Sequence, residues 1–178
     1  EYGDDKDTLT MRLYTNLTDT AYKLTQYDKA IQYGEKSLTF KELDTADKLQ
    51  IFLELSNAYY VTKQDIEKAF NLAGSVIDLA KASTDLPMQP DIKNALYVAP
   101  SLRIQVKILY AKEKDAAAAK LALDKAVEAY TLDKSETSLK LILAVGSRVH
   151  AAGSAEEVCS QYERAFAARP DDDLARLL

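Results

Sequence analysis

The chain is 178 residues long, 47% hydrophobic and 29% charged, with a net charge of −5 at pH 7. That length supports one domain or one repeat array with a sizeable core, and the acidic balance with scattered Lys and Arg excludes the basic stripe of a nucleic-acid binder. Five Gly and four Pro are too few turn-makers for a many-stranded β fold, and no apolar run reaches the roughly 18–20 residues that insert across a bilayer.

Glu1–Asp7 is polar and acidic and reads as a loop. From about Thr8, Leu9, Leu13, Leu17, Ala21 and Leu24 recur near helical period, predicting a first helix to Leu24 with that set on its buried face. Asn16-Leu17-Thr18 matches a glycosylation acceptor, but inside a helix it reads as a chance match. A second helix, from Tyr27 to roughly Leu43, carries Ala30, Ile31, Leu38 and Phe40. Asp44 or Thr45 can cap a third, which ends near Thr62 and buries Leu49, Phe52, Leu53, Leu55, Ala58 and Tyr59. Asp65 can cap a fourth, with Ile66, Ala69, Phe70, Ala73, Val76, Ile77 and Ala80 inward.

Ser83–Pro90 is the strongest loop signal. It opens an insertion over residues 83–97, with room for a short helix from Asp91 to Val98. Leu102, Ile104, Val106 and Ile108 alternate with polar residues as a strand would. The helical reading is preferred, because Pro100 suits a first helical turn and a lone strand would find no partner. Ala116–Tyr130 is helical on propensity alone. Asp133 with Glu136 forms a capping box for a helix through Leu139, Ile142, Leu143, Val145 and Val149. Gly153 places a left-handed turn, and Ser154 with Glu157 caps the last helix. Val158, Tyr162, Ala165 and Phe166 share one face of it before Pro170 ends the run, and Asp171–Leu178 reads as a helix start cut short.

Small residues just past four of the turns, Ala30, Ala69, Ala119 and Val158, recur at spacings of 39, 50 and 39 residues, the longer one holding the proline loop. The last unit has Gly146, Gly153, Tyr162, Ala165 and Pro170 at signature places, and the first offers Leu17, Tyr27, Ala30 and Leu38. The second has Leu55, Ala58, Tyr59 and Ala69, and the third Tyr110, Ala119, Leu123 and Ala126. In these residues the chain resembles the tetratricopeptide repeat (TPR) family, a series of helical hairpins. Lys107 stands where that family wants a small residue, and Gly34 and Ala73 replace its usual aromatic.

The resemblance implies an all-α fold, a right-handed superhelix of antiparallel helix hairpins (a TPR-like α-solenoid) spanning residues 1–178. Its repeats fall at about 8–44, 45–84, 98–132 and 133–172. YGDDKDTLT resembles the inter-repeat loop of the longer, kinesin-light-chain-like variety, so the sequence reads as a window from a longer array. The implied function is a non-catalytic scaffold that binds a protein or peptide segment in its concave groove. The alternative is a sensory or regulatory segment of a larger enzyme or transducer, and incomplete end repeats would favour self-association.

Few residues offer chemistry. His150 and Cys159, the single histidine and single cysteine, are placed on opposite sides of the Gly153 turn, which argues against a nucleophilic pair. One cysteine also allows no internal disulfide, which fits the cytoplasm and a bacterial periplasm equally. No phosphate-cradling glycine loop occurs and no metal-ligand cluster is spaced for zinc, so no cofactor is implied. Carboxylates read as solvated faces or caps. Tyr59, Tyr110 and Tyr162 read as core, whereas Tyr22 and Tyr60 fall where the family's groove lies. Among the places corresponding to the family's carboxylate clamp, only Asn57 is of the right type and Asp19 would repel a carboxylate. The candidate groove is therefore Asp19, Tyr22, Asn57, Tyr60, Lys112, Ser147 and His150, suited to a mixed polar and aromatic segment.

Overall fold

A computed structural model of the chain describes residues 3–84, 86–112 and 115–168, with side chains from residue 7 onward, and every regular element among them is helical. The chain divides into two compact units, Glu1–Met88 and Gln89–Leu178.

The first unit holds α1 (Gly3–Lys23), α2 (Tyr27–Ser37), α3 (Thr45–Thr62) and α4 (Ile66–Ala82). α1 packs on α2 and α3 on α4, and the two hairpins meet where α3 touches α1 and α2. Helix α1 starts at Gly3, ahead of the expected Thr8, so the segment read as a loop is mostly helical. Its buried stripe also differs from the expected one. Met11, Thr18 and Ala21 are buried, while Leu9, Leu13 and Leu24 are 64%, 56% and 60% exposed. The leucines at i and i+4 share a face, but α2 and α3 cover the neighbouring one. The buried Thr18 hydroxyl is satisfied by the Tyr14 carbonyl at 2.7 Å.

Helix α2 stops at Ser37, six residues short of the expected Leu43. The apolar residues beyond it are used in a turn: Phe40 lies 6.2 Å from the Tyr14 ring and Leu43 is buried as a plug. At Gly34 a Cβ would stand 2.8 Å from Leu55 Cδ2 and 3.1 Å from Thr18 Cγ2, so the absent side chain sets how closely α2 meets α1 and α3. Asp44 and Asp65 cap α3 and α4 as anticipated, accepting from the backbone N–H of Asp47 and Lys68.

In the second unit, α5 (Pro90–Lys93), a π turn (Asn94–Val98) and α6 (Ala99–Tyr110) run on as one helical arm. The insertion expected over residues 83–97 therefore shrinks to the stretch before Pro90, and Pro100 sits inside a helix rather than opening one. Proline has no N–H to donate and its ring crowds the carbonyl four residues back. The wide turn directly before Pro100, with Ala99 N–H bonded to Asn94 O, relieves that conflict. The alternating run Leu102–Ile108 is helical, and the residues on both sides of its pattern are buried, including Ser101 and Gln105.

α7 (Ala116–Asp133), α8 (Glu136–Ala151) and α9 (Ala155–Ala168) complete the unit, with α7 touching α6, α8 and α9. The cap of α8 is Ser135, which accepts from Ser138 N–H, in place of the expected Asp133. Asp133 is instead occupied by Ser135, Ser138 and an ion pair with Arg103. Gly153 adopts φ +86 and closes a Schellman turn: its N–H bonds to His150 O at 2.9 Å and that of Ser154 to Val149 O at 3.3 Å. Pro170 and Asp171–Leu178 lie outside the described residues. Ala30, Ala69, Ala119 and Val158 are all buried. Tyr59 is buried as expected, but Tyr110 and Tyr162 are half-buried, and among the described residues the fully enclosed tyrosine is Tyr130. Tyr110 lies under the Arg148 guanidinium, 3.7 Å from its ring centre.

Candidate functional site

Three of the seven sequence-derived candidates meet in the first unit, where the last two turns of α1 face the middle of α3. Asn57 Nδ2 donates to the Tyr22 hydroxyl at 2.7 Å, and the Tyr22 ring meets Tyr27 edge-on with centroids 5.9 Å apart. Asp19, one turn before Tyr22, holds the exposed Lys23 ammonium at 2.7 Å. Tyr60, the fourth candidate in this unit, is half-buried on α3.

At the centre of this group is a residue that sequence reasoning assigned to solvent. Glu54 is 2% exposed. Gln50, one turn earlier on α3, donates Nε2 to its Oε1 at 2.5 Å, and the Asp19 side chain lies within hydrogen-bond reach of the buried carboxyl, so the two acids share a proton. Burial first, and then the neighbouring Asp19 carboxylate, push Glu54 up to about 7, against the opposing pull of Gln50 and Lys23. Burial also raises the Tyr22 hydroxyl; Asn57 opposes the shift, whereas Tyr27 and Glu54 add to it. The reading of all carboxylates as solvated or capping therefore fails at Glu54. A signal was present: Leu49, Ile51, Leu55 and Ala58 are each 0% exposed, so α3 is enclosed on most sides and a charged residue between them has to point inward.

The other three candidates belong to the second unit. Ser147 and His150 line a cavity of about 400 Å³ between α8 and α9, together with Gly146, Cys159 and Tyr162. His150 on α8 and Cys159 on α9 lie on opposite sides of the Gly153 turn, as expected, and both line this cavity. A Cβ on Gly146 would overlap the Tyr162 hydroxyl, so this glycine seats the ring. Ser147 turns its hydroxyl back to Leu143 O at 2.8 Å. Lys112 is exposed in the turn after α6 and does not line that cavity.

Among the described residues, no group of three or more His, Cys, Asp or Glu side chains is arranged to hold a metal ion. No described helix is long and apolar enough to cross a membrane. No protein-family model matches the chain, and a search of curated proteins finds no match.

Proposed function

We propose that the chain is a non-catalytic scaffold built of TPR-like hairpins, which binds a protein or peptide segment on the face formed by α1 and α3. The finer architecture that goes with this reading is the right-handed superhelix of that family. The observation that carries the proposal is the convergence of Asp19, Tyr22 and Asn57 around Glu54. Four polar or aromatic side chains from two helices are held together where an all-apolar contact would pack α1 on α3 more simply. Amphipathic aromatics beside fixed hydrogen-bonding groups are typical binding anchors. The buried small residues Ala30, Ala69, Ala119 and Val158 support the repeat reading, since each lets its second helix approach a neighbour closely.

Selection of a random peptide library on the purified chain tests the function. Enriched peptides are expected to bind wild type at least tenfold more tightly than Tyr22→Ala or Asn57→Ala, with the helical circular dichroism of both variants unchanged. Equal binding by the variants would remove this face from the proposal.

A further inference from the structure

We propose that copies of this chain associate head to tail, with α1 of one copy seated in the cleft between α8 and α9 of the next. The inference rests on the repeat reading of the hairpins and takes nothing from the α1–α3 face. Leu9, Leu13 and Leu24 give α1 an exposed apolar stripe, and Cys159 of the cleft is exposed as well. Such surfaces do not by themselves name an occupant. The joint that this chain builds between its first two hairpins does.

In that joint α3 lies against α1 and α2. Leu55, 0% exposed, covers Gly34, where a Cβ would stand 2.8 Å from it and 3.1 Å from Thr18 of α1. Ile51 and Ala58, about a turn to either side on the same face of α3, are also 0% exposed. Gln64 donates to Asp28 at 2.6 Å, so α2 and α3 run antiparallel and Ile31 stands across from Ala58.

The last hairpin repeats this seat. With Val158 in the place of Ala30, Cys159 takes that of Ile31, Tyr162 that of Gly34 and Gly146 that of Thr18. Glycine and larger residue have changed helices, and Gly146 makes the room for Tyr162. Gly146, Cys159 and Tyr162 line the cavity of about 400 Å³, so the cleft is the counterpart of the surface that α3 covers. The counterpart of α3 is α1. With Leu17 in the place of Leu55, Thr18 stands for Ser56, and both hydroxyl residues are 0% exposed. Leu13 then stands for Ile51 and Thr20 for Ala58, but Leu13 is 56% exposed where Ile51 is buried. A second copy of α1 brings to the cleft the apolar face that such a seat receives.

Charge selects the same partner. In the first joint Glu35 of α2 pairs with Lys68 of α4, and Asp124, at the same place on α7, meets Arg164 of α9 at 3.5 Å. The third acid of this series is Glu163, and the base in the place of Lys68 is Lys29; both are exposed. Head-to-tail docking sets Lys29 of one copy beside Glu163 of the next, whereas a two-fold contact of α1 with α1 does not. Because the two surfaces differ, the contact is heterologous and continues from copy to copy or closes a ring.

The test exploits the single cysteine of the chain. Thr20→Cys, at an exposed position, stands across from Cys159 of the next copy in this contact. Oxidation of that variant with copper phenanthroline should give a ladder of linked dimers, trimers and higher species. Wild type and Thr20→Cys/Cys159→Ser, each with one cysteine, should stay unlinked. In sedimentation velocity the wild-type mass should rise with concentration. Leu13→Glu should weaken association at least tenfold with its circular dichroism unchanged, and Lys29→Glu should weaken it in a way that Glu163→Lys restores in the double variant. A strictly monomeric wild type, or linked dimers in equal yield from the single-cysteine proteins, would overturn the proposal. A monomer whose Cys159 nonetheless reacts slowly with thiol reagents would also overturn it, giving the cleft to an occupant from the same chain. Peptides that need Tyr22 and Asn57, selected on a chain that stays monomeric, would sink the association and leave the binding face standing. A ladder without any enriched peptide would do the reverse.

Discussion

Thr25 closes the turn between α1 and α2 at φ 57, with its N–H on Tyr22 O at 2.9 Å and that of Gln26 on Ala21 O at 2.8 Å. The geometry matches the Schellman turn at Gly153, but here a β-branched residue occupies the left-handed position, where its Cβ crowds the backbone. Lys63 and Lys134 occupy the same region at φ 58 and 50. Thr25→Gly should raise stability by about 0.5–1 kcal/mol, the relief of roughly 1–2 kcal/mol being partly offset by glycine's greater freedom in the unfolded chain. Urea unfolding of the two proteins checks this, and a lowered midpoint for the glycine variant would count against it. Residue by residue, the sequence showed the Gly153 turn, because glycine marks left-handed backbone. It placed the Thr25 turn, between helices ending at Leu24 and starting at Tyr27, but concealed its left-handed backbone, because nothing in Leu-Thr-Gln requires one. Glu54 was concealed for a different reason. Charge type alone points outward, and only the enclosure of α3 on most of its sides turns this carboxylate in.

Elements were legible where a cap and an apolar period agreed. Asp44 and Asp65 each mark a helix start and each accepts the expected backbone N–H. Where two cap residues stood close together, the choice was made by a partner remote in sequence. Asp133 is drawn to Arg103 on α6, leaving Ser135 to cap α8. Through Arg103, Ser135 and Ser138, Asp133 ties α6 to the turn between α7 and α8, with its own side chain only 9% exposed. Asp133→Ala should therefore cost about 2–4 kcal/mol, more than a surface ion pair would, because it strands a largely buried guanidinium. A chemical-denaturation measurement showing a loss under about 1 kcal/mol would assign that network to solvent instead. The start of α1 and the end of α2 were not legible. The leucine stripe of α1 is largely solvent-exposed, and the apolar run after Ser37 serves a turn, so periodicity alone gave the wrong phase in one and the wrong length in the other.

At the level of the molecule, the all-α class follows from the run of amphipathic segments and the scarcity of turn-makers. The division into two units at Met88 and Gln89 coincides with the proline loop, the strongest break in the sequence. Stability should carry the mark of Glu54. Its usual value near 4.5 is raised to about 7 in the folded chain, so folding takes up a proton between those pH values. The contribution is fully present below about 4.5 and is lost as pH rises through 7. Relative to Glu54→Gln, which cannot ionise, wild type should lose on the order of 2 kcal/mol between pH 5 and pH 8. Paired urea melts at the two pH values measure the difference, and parallel profiles would show that Glu54 is ionised in both states.

The π turn at Asn94–Val98 gives this chain an unequal tolerance for changes of length. Deleting one residue from a regular helix rotates everything beyond it by about 100°, which would swing a buried face to water. A π turn holds one residue more than its hydrogen-bonding pattern needs to be α-helical. Removing Ala95 should therefore keep Leu102, Val106 and Leu109 in phase with α7, at a cost of about 3 kcal/mol for returning the Pro100 ring to the carbonyl four residues back. The same single-residue deletion at Leu123, within the unbroken α7, should unfold the second unit. Gene variants that differ by one codon are thus expected to survive at residues 94–98 and to fail elsewhere in the helical interior, which a deletion scan read by soluble yield and circular dichroism would show directly.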